Sequence, residues 1–171
     1  MKLNLPLLLV CLTNVIASFN PNNKDFNLGE QSLDKCSEIE LSKKVLYDCS
    51  KREAPLKIHN VVLNPNPPKR GKKLEIKASG YTSEDILPGS KLKIAVKLGL
   101  IKLIELNYDL CDTVKDYGLE CPVKKGPVNV TTSVDLPNEI PMGTFIVDAV
   151  ATSNEKKELA HIIAKLHFSF N

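Results

Sequence analysis

The chain has 171 residues, enough for one domain of ordinary size and little more. Its 43% hydrophobic and 25% charged content excludes a disordered, collagenous or polytopic membrane chain, and a formal charge of +3 is too small to make nucleic acid its main partner. Aromatic residues supply only 5%, with no Trp, so base-stacking platforms and aromatic sugar clefts are poorly provided and the interior must be aliphatic.

The first residues place one cation, Lys2, before the short apolar run from Leu5 to Leu12, and Val15-Ile16-Ala17 offers small-residue cleavage ahead of Ser18. This pattern reads as a signal peptide over residues 1–17. The competing reading is an uncleaved anchor. Asn4, Pro6, Thr13 and Asn14 interrupt the run well short of the roughly 20 apolar residues that a spanning helix needs. Cleavage removes Cys11 and leaves Cys36, Cys49, Cys111 and Cys121, an even set that reads as two disulfides in a secreted chain. Four cysteines allow three pairings, and the low cost of closing short loops favours Cys111 with Cys121 and Cys36 with Cys49. A metal site is a weaker reading. No Cys-x-x-Cys pair exists, and His59 lies far in sequence from both cysteine pairs.

Residues 18–48 are polar, with Asn20, Asn22, Asn23 and Asn27, and read as an arm or pro-segment. A short helical turn between Ser37 and Leu46 would let Ile39, Val45 and Leu46 share a face. The folded domain is expected over residues 49–171. From there, short apolar runs separated by turn residues predict an all-β fold, a two-sheet sandwich of about seven strands.

Ile58, Val61 and Leu63 form the first run, ended by Asn64-Pro65-Asn66-Pro67-Pro68, whose prolines forbid both helix and central strand. Leu74, Ile76 and Ala78 then alternate with Lys73, Glu75 and Lys77, one row inward and one in water. After the Pro88-Gly89 turn, Leu92, Ile94, Val96 and Leu98 alternate with Lys91, Lys93 and Lys97 in the clearest period-two segment. From Leu100 to Leu110 apolar residues occupy both phases, with Ile101 and Leu103 on one and Leu100, Ile104, Leu106, Tyr108 and Leu110 on the other. A bulge or edge exposure at Gly99 would explain the switch. Later strands are Val128-to-Leu136, Thr144-to-Thr152 and Ile162-to-Phe170.

Catalytic constellations are not found in this pattern. There is no Gly-x-Ser-x-Gly elbow, no His-Glu-x-x-His helix and no Gly-rich phosphate loop. His161 and His167 share a strand phase but stand about 20 Å apart along it, too far to share a metal. Glu84-Asp85 and Asp109 read as solvated turn carboxylates, so the chain is expected not to be an enzyme and to need no cofactor. Asn129-Val130-Thr131 is a glycosylation acceptor, with Asn129 facing water if Val128 and Val130 face inward.

Tyr47-Asp48-Cys49-Ser50, Val62-Leu63-Asn64-Pro65-Asn66-Pro67-Pro68-Lys69-Arg70-Gly71 and Lys97-Leu98-Gly99-Leu100-Ile101-Lys102-Leu103 are each motifs of modest value. The same holds for Tyr108-Asp109-Leu110-Cys111, Glu120-Cys121-Pro122-Val123 and Asp135-Leu136-Pro137-Asn138-Glu139-Ile140-Pro141-Met142-Gly143. In this order and spacing, over about 125 residues from Tyr47 to Phe170, the chain resembles the ML lipid-recognition family. Within it, the resemblance is to the fungal phosphatidylglycerol/phosphatidylinositol transfer proteins, relatives of the Niemann-Pick cholesterol-binding protein.

The resemblance implies an immunoglobulin-like sandwich whose sheets splay apart to hold an apolar guest, with a disulfide between Cys111 and Cys121. It also implies a departure. The family usually joins the cysteine matching Cys49 to one in the last strand, where this chain has His161, so Cys36 is the substitute available to Cys49. The expected lipid-binding lining is Leu92, Ile94, Val96, Leu98, Val128, Val130, Phe145 and Val147. The mouth is expected near the Cys111–Cys121 bridge, at Tyr108, Leu119, Val123, Leu87 and Pro122.

The function so implied is binding of a phospholipid or sterol and its transfer between membranes, by a monomer in the secreted or vacuolar/lysosomal space. Lys69-Arg70 with Lys72-Lys73, and Lys124-Lys125, could dwell on anionic membrane surfaces. A secreted recognition or receptor-accessory module without lipid transfer is the alternative.

Overall fold

A computed structural model describes residues 36–39 and 45–169; the expected signal peptide and most of the polar arm lie outside the described residues. Nine strands are described: β1 (Ser37–Glu38), β2 (Leu46–Asp48), β3 (Leu56–Asn64), β4 (Lys73–Thr82), β5 (Lys91–Leu98), β6 (Ile101–Asp109), β7 (Gly126–Asp135), β8 (Gly143–Thr152) and β9 (Glu158–Phe168). One short helix, α1 (Leu110–Lys115), follows β6. The seven strands after Cys49 match the expected apolar runs, because period-two alternation satisfies the backbone in a ladder while giving one face to the core.

The strands form two antiparallel sheets, one ordered β1-β2-β9-β8-β5-β6 and the other β3-β4-β7. In the larger sheet Val96 pairs with Val147 and Ile104, Ile94 with Ala149 and Leu106, and Leu92 with Ala151 and Tyr108, which puts these residues on one face. Ala149 pairs with Ile162 and Phe145 with Leu166, extending that face across β9. In the smaller sheet Leu74 pairs with Val134, Ile76 with Thr132, Ala78 with Val130 and Gly80 with Val128. Asn129 and Thr131 alternate with that row and are exposed.

Two buried clusters close parts of the sandwich. Ile39, Val45, Val61, Leu63 and Leu74, with Leu46, Ile58, Ile162 and Leu166 against them, seal the long edge where β1, β2 and β9 meet β3 and β4. Ile86, Leu110, Val123, Ala151, Leu159 and Ala160, with Leu92 and Val128 against them, seal one end.

Four local features depart from the sequence reading. Residues expected in the arm and its helical turn are instead strands β1 and β2, and Ile39 and Val45 are core, so the folded unit begins no later than Cys36. Residues 40–44 of that turn lie outside the described residues. Gly99 is no bulge, although β6 beyond it is an edge strand with Ile101 and Leu103 exposed: at φ 56 Gly99 opens a two-residue hairpin with Leu100, the position where a primed turn wants glycine. The bulge lies beyond it, where Val96–Ile104 gives way to Lys97–Lys102, leaving Leu103 as the extra residue that carries apolar side chains into both phases. Helix α1 starts where a strand was expected to end, because the Asp109 carboxylate accepts from the Cys111 and Asp112 amides and caps it.

The disulfides are Cys36–Cys49 and Cys111–Cys121. The Cys49 amide donates to the His161 carbonyl at 2.8 Å, so Cys49 lies beside the residue that the resemblance sets at its partner's position and is bridged to Cys36 instead. His161 turns its ring to the outer face and meets Asp148, Nε2 to Oδ1 at 2.8 Å.

Two outcomes follow. Replacing Cys36 and Cys49 together by Ser should cost about 2–4 kcal/mol, read from the urea midpoint, because it frees a loop that ties β1 to the sheet. An unchanged midpoint contradicts this. The hydrogen bond from Asp148 raises the His161 pKa above 6.5, with Glu158 and Asp48 adding to it. The same bond, with Lys97 and Lys93 nearby, lowers that of Asp148 below 3.8. A raised histidine stabilises fully below its unfolded value and loses that contribution as pH rises through its folded value. A lowered carboxyl stabilises above its unfolded value and loses it as pH falls through its folded one. The stability gap between the native chain and His161→Gln should therefore be widest from about pH 4 to about pH 6.5 and narrow above that range, as followed by thermal melts.

Candidate functional site

The inner faces of β5 and β8 locate the site. Both are interior strands, flanked on each side by hydrogen-bonded neighbours, so their inward side chains can be reached only from the space between the sheets. In a closed sandwich they would be fully buried. Instead Ile94, Val96 and Leu98 on β5, and Val147 and Ala149 on β8, are only half-buried. The sheets therefore stand apart along these rows.

The separation grows in one direction. At the sealed end Val128 of β7 packs on the cluster that also holds Leu92 of β5. Further along the same inward row Val130 and Thr132 are half-buried, and Val134 is 45% exposed. Opposite, Ile104 and Leu106 on β6 are half-buried, and Ile101, paired with inward Leu98, is 57% exposed. The result is a wedge with aliphatic walls, closed at the β1-β2-β9 edge and at the α1 end, and open at the corner where the β5–β6 hairpin faces the end of β7.

Several expected lining residues are brought together on these walls: Leu92, Ile94, Val96 and Leu98 on β5, Tyr108 on β6, Val128 and Val130 on β7, and Val147 on β8. Phe145 belongs to the floor. Its ring meets Phe168 edge-on, centroids 5.6 Å apart, and both are buried.

The expected mouth is different. Val123 exchanges backbone hydrogen bonds with Ile86, at 2.8 and 3.0 Å, and lies inside the sealing cluster, with Leu119 and Cys121 packed against it. The Cys111–Cys121 bridge pins the segment that carries them. Leu119 and Val123 thus plug the end they were expected to open. Lys124 is also committed, bonding Asp85 at 2.9 Å, while the Lys125 amide donates to the same carboxylate.

The open corner is built from the family motifs themselves. Gly71, at φ 64, lies so close to the Asn138 side chain that any side chain of its own would collide with it. The Gly71 amide donates to the Pro137 carbonyl at 3.2 Å and the Leu136 amide to that of Lys72 at 3.1 Å. Arg70 bridges the Ile140 and Ser169 carbonyls at 3.2 and 3.3 Å. The sequence reading missed this corner and also the contributions of Ile104, Leu106 and Ala149. The inward phase of Ile104 and Leu106 was hidden by the bulge at Leu103.

Shallow depressions on the outer faces have another character. One is lined by Glu75, Lys77 and Thr131 to Ser133, the other by Lys93, Ala95, Lys97, Lys102, Glu105, Asp148 and Val150. In the second, Lys102 and Lys93 both clamp Glu105, whose carboxyl is held down at about 2. These polar surfaces offer nothing to an apolar guest. Among the described residues no group of three or more His, Cys, Asp or Glu is placed to hold a metal.

Comparison with known proteins agrees with this architecture. The model of the ML domain matches residues 43–165. A phosphatidylglycerol/phosphatidylinositol transfer protein of Pyricularia oryzae is 42% identical over 126 residues, 74% of this chain and 71% of that one. Among solved structures, a Niemann-Pick type C2 protein from the Japanese carpenter ant superposes with a TM-score of 0.56 at 14% identity, over 73% of this chain and 99% of the other. Chicken MD-1, solved with lipid IVa, gives 0.51 at 15% identity over 72% and 90%. The two-sheet sandwich is thus that of an ML domain, and the chain belongs to that family.

Proposed function

We propose that this chain is a lipid carrier that takes one phospholipid, of the phosphatidylglycerol or phosphatidylinositol class, into the wedge and moves it between membranes. The observation that carries the reading is the half-buried aliphatic rows on interior strands β5 and β8, which lack, among the described residues, the packing partner an ordinary sandwich would supply. The headgroup class is supported by the similarity to the phosphatidylglycerol/phosphatidylinositol transfer protein of Pyricularia oryzae.

Withdrawing an acyl chain from water gains about 0.8 kcal/mol per methylene, so a chain of ordinary length supplies on the order of 10 kcal/mol for retention. At a bilayer the guest exchanges one apolar medium for another, and the free-energy difference becomes small. The barrier then lies in the passage across the interface. In this reading no bond is made or broken. The reading places the protein in an oxidising secretory or vacuolar lumen, where the two disulfides persist, and has it act as a monomer.

Native mass spectrometry of protein purified from its host should show one bound phospholipid, released by organic solvent. A sterol in its place would change the guest but keep the carrier. Lipid-free protein that also extracts none from vesicles would overturn the reading in favour of a recognition module. Val96→Asp from one wall and Val130→Asp from the other should each lower extraction of labelled phosphatidylinositol at least about tenfold, because a carboxylate within the wedge must be desolvated. The far-ultraviolet β-sheet signal should persist, and undiminished extraction by both variants contradicts the lining.

A further inference from the structure

The glycosylation acceptor has no part in the wedge, and its place in the smaller sheet gives it one of its own. The register sets Asn60, Ser79 and Asn129 in one outward row across β3, β4 and β7. Lys57, Tyr81 and Pro127 form the next outward row on one side, and Val62, Lys77 and Thr131 on the other. Tyr81 is 42% exposed and Val62 40%, and Pro127, Asn129 and Thr131 are exposed as well. Asn129 and Thr131 stand two apart on one strand, so the amide and the hydroxyl of the acceptor both reach water on the same face. No other Asn-x-Ser/Thr occurs in the sequence.

Strand β7 is also an edge. In the order β3-β4-β7 its far margin has no neighbour among the described residues, so a row of backbone donors and acceptors is open to another chain. The other edges are blunted. Strand β6 carries Lys102, Glu105 and the bulge at Leu103, β3 carries Lys57 and the register shift at His59, and β1 is two residues long. In β7, Pro127 interrupts the start and Asp135 stands at the end, but residues 128–134 pair with β4 without a shift and hold neither charge nor proline. Five of those seven residues are β-branched, a composition that favours addition of a further strand. What sets this stretch apart is the acceptor at Asn129.

We infer that Asn129 carries an N-linked oligosaccharide that lies over the outer face of the smaller sheet and bars the free edge of β7 from pairing with a second chain. A strand added beside β7 would bring its own outward side chains within about 4.5–5.5 Å of Asn129, space that a branched sugar fills. The first sugar presents a face of C–H bonds. Tyr81 lies diagonal to Asn129 across β4, within the roughly 7–8 Å that such pairs span, and offers that face an exposed ring. In the transfer, Nδ2 of Asn129 bonds to the anomeric carbon of the first N-acetylglucosamine. The bond from that carbon to the pyrophosphate of the lipid-linked donor breaks, and the amide gives up one proton as the lipid pyrophosphate leaves. The inference stands apart from the carrier reading and needs only passage through the lumen in which the two disulfides form.

The full chain, with its own N-terminal segment, is expressed in a eukaryotic secretory host, and its intact mass is measured before and after treatment with peptide N-glycosidase. The native chain and Thr131→Ser should each lose one core oligosaccharide, whereas Thr131→Ala and Thr131→Lys should show no change. Glycosidase-treated native protein and Thr131→Ala should then associate at least about tenfold faster on mild warming, followed by light scattering. Thr131→Lys also lacks the sugar but should stay dispersed, because its ammonium group blunts the edge. Releasing the oligosaccharide should lower the melting temperature of the native chain by about 2–5 °C, and that of Tyr81→Ala by less. A secreted chain of unchanged mass, or a chain retained without sugar in the cytosol, overturns the modification. Equal dispersion of the native protein with and without its sugar overturns the protection of the edge. Equal melting shifts in the native chain and Tyr81→Ala overturn the seat of the first sugar.

Discussion

The structure depends on a mismatch in width. Four long strands, β9, β8, β5 and β6, present an apolar face to only three, and the three are drawn to one side by the cluster that Ile39, Val45 and Leu46 build with Val61, Leu63 and Leu74. At about 4.8 Å per strand the smaller sheet cannot also cover β6. A sandwich with matched sheets would close by dispersion and exclusion of water. Here the closing force is spent along one edge and one end, and among the described residues the remaining apolar surface has no protein to meet.

The N-terminal strands belong to that constraint. Strands β1 and β2 are too short to be stable alone, yet β2 pairs with β9 from Leu46 opposite Ala164 to Asp48 opposite Ile162, and the Cys36–Cys49 bridge fastens β1 beside it. They fix which margin of the sandwich is closed. The capped helix α1, the Cys111–Cys121 bridge and the Ile86–Val123 pairing do the same for one end, leaving one corner open among the described residues.

Much of this was legible in the residues. The alternation from Lys91 to Leu98 fixes an inward aliphatic row because one charged and one apolar phase admit only one orientation in water. The segment from Leu100 to Leu110 is not legible in that way. Apolar residues in both phases leave the register open, and the bulge at Leu103 that settles it is a property of pairing with β5. Ser37–Glu38 and Leu46–Asp48 are too short to carry a period; pairing with β9 makes the second a strand, and pairing with the second makes the first one. Asp109 ahead of Leu110 did carry a cap signal for α1. The position of the mouth could not be read at all, because Val123 and Leu100 are both apolar loop residues. What separates them is which sheet margin lacks a neighbour overhead.

The two lips of the wedge are anchored unequally. Arg70, Gly71 and Asn138 stitch the loops before β4 and β8 to each other and to the end of β9, whereas the facing lip is a two-residue turn on an edge hairpin. Any difference in girth between one cargo molecule and another must then be absorbed by the hairpin side. The breadth of guests this protein tolerates is accordingly governed by how far a single ribbon of backbone can swing from its sheet.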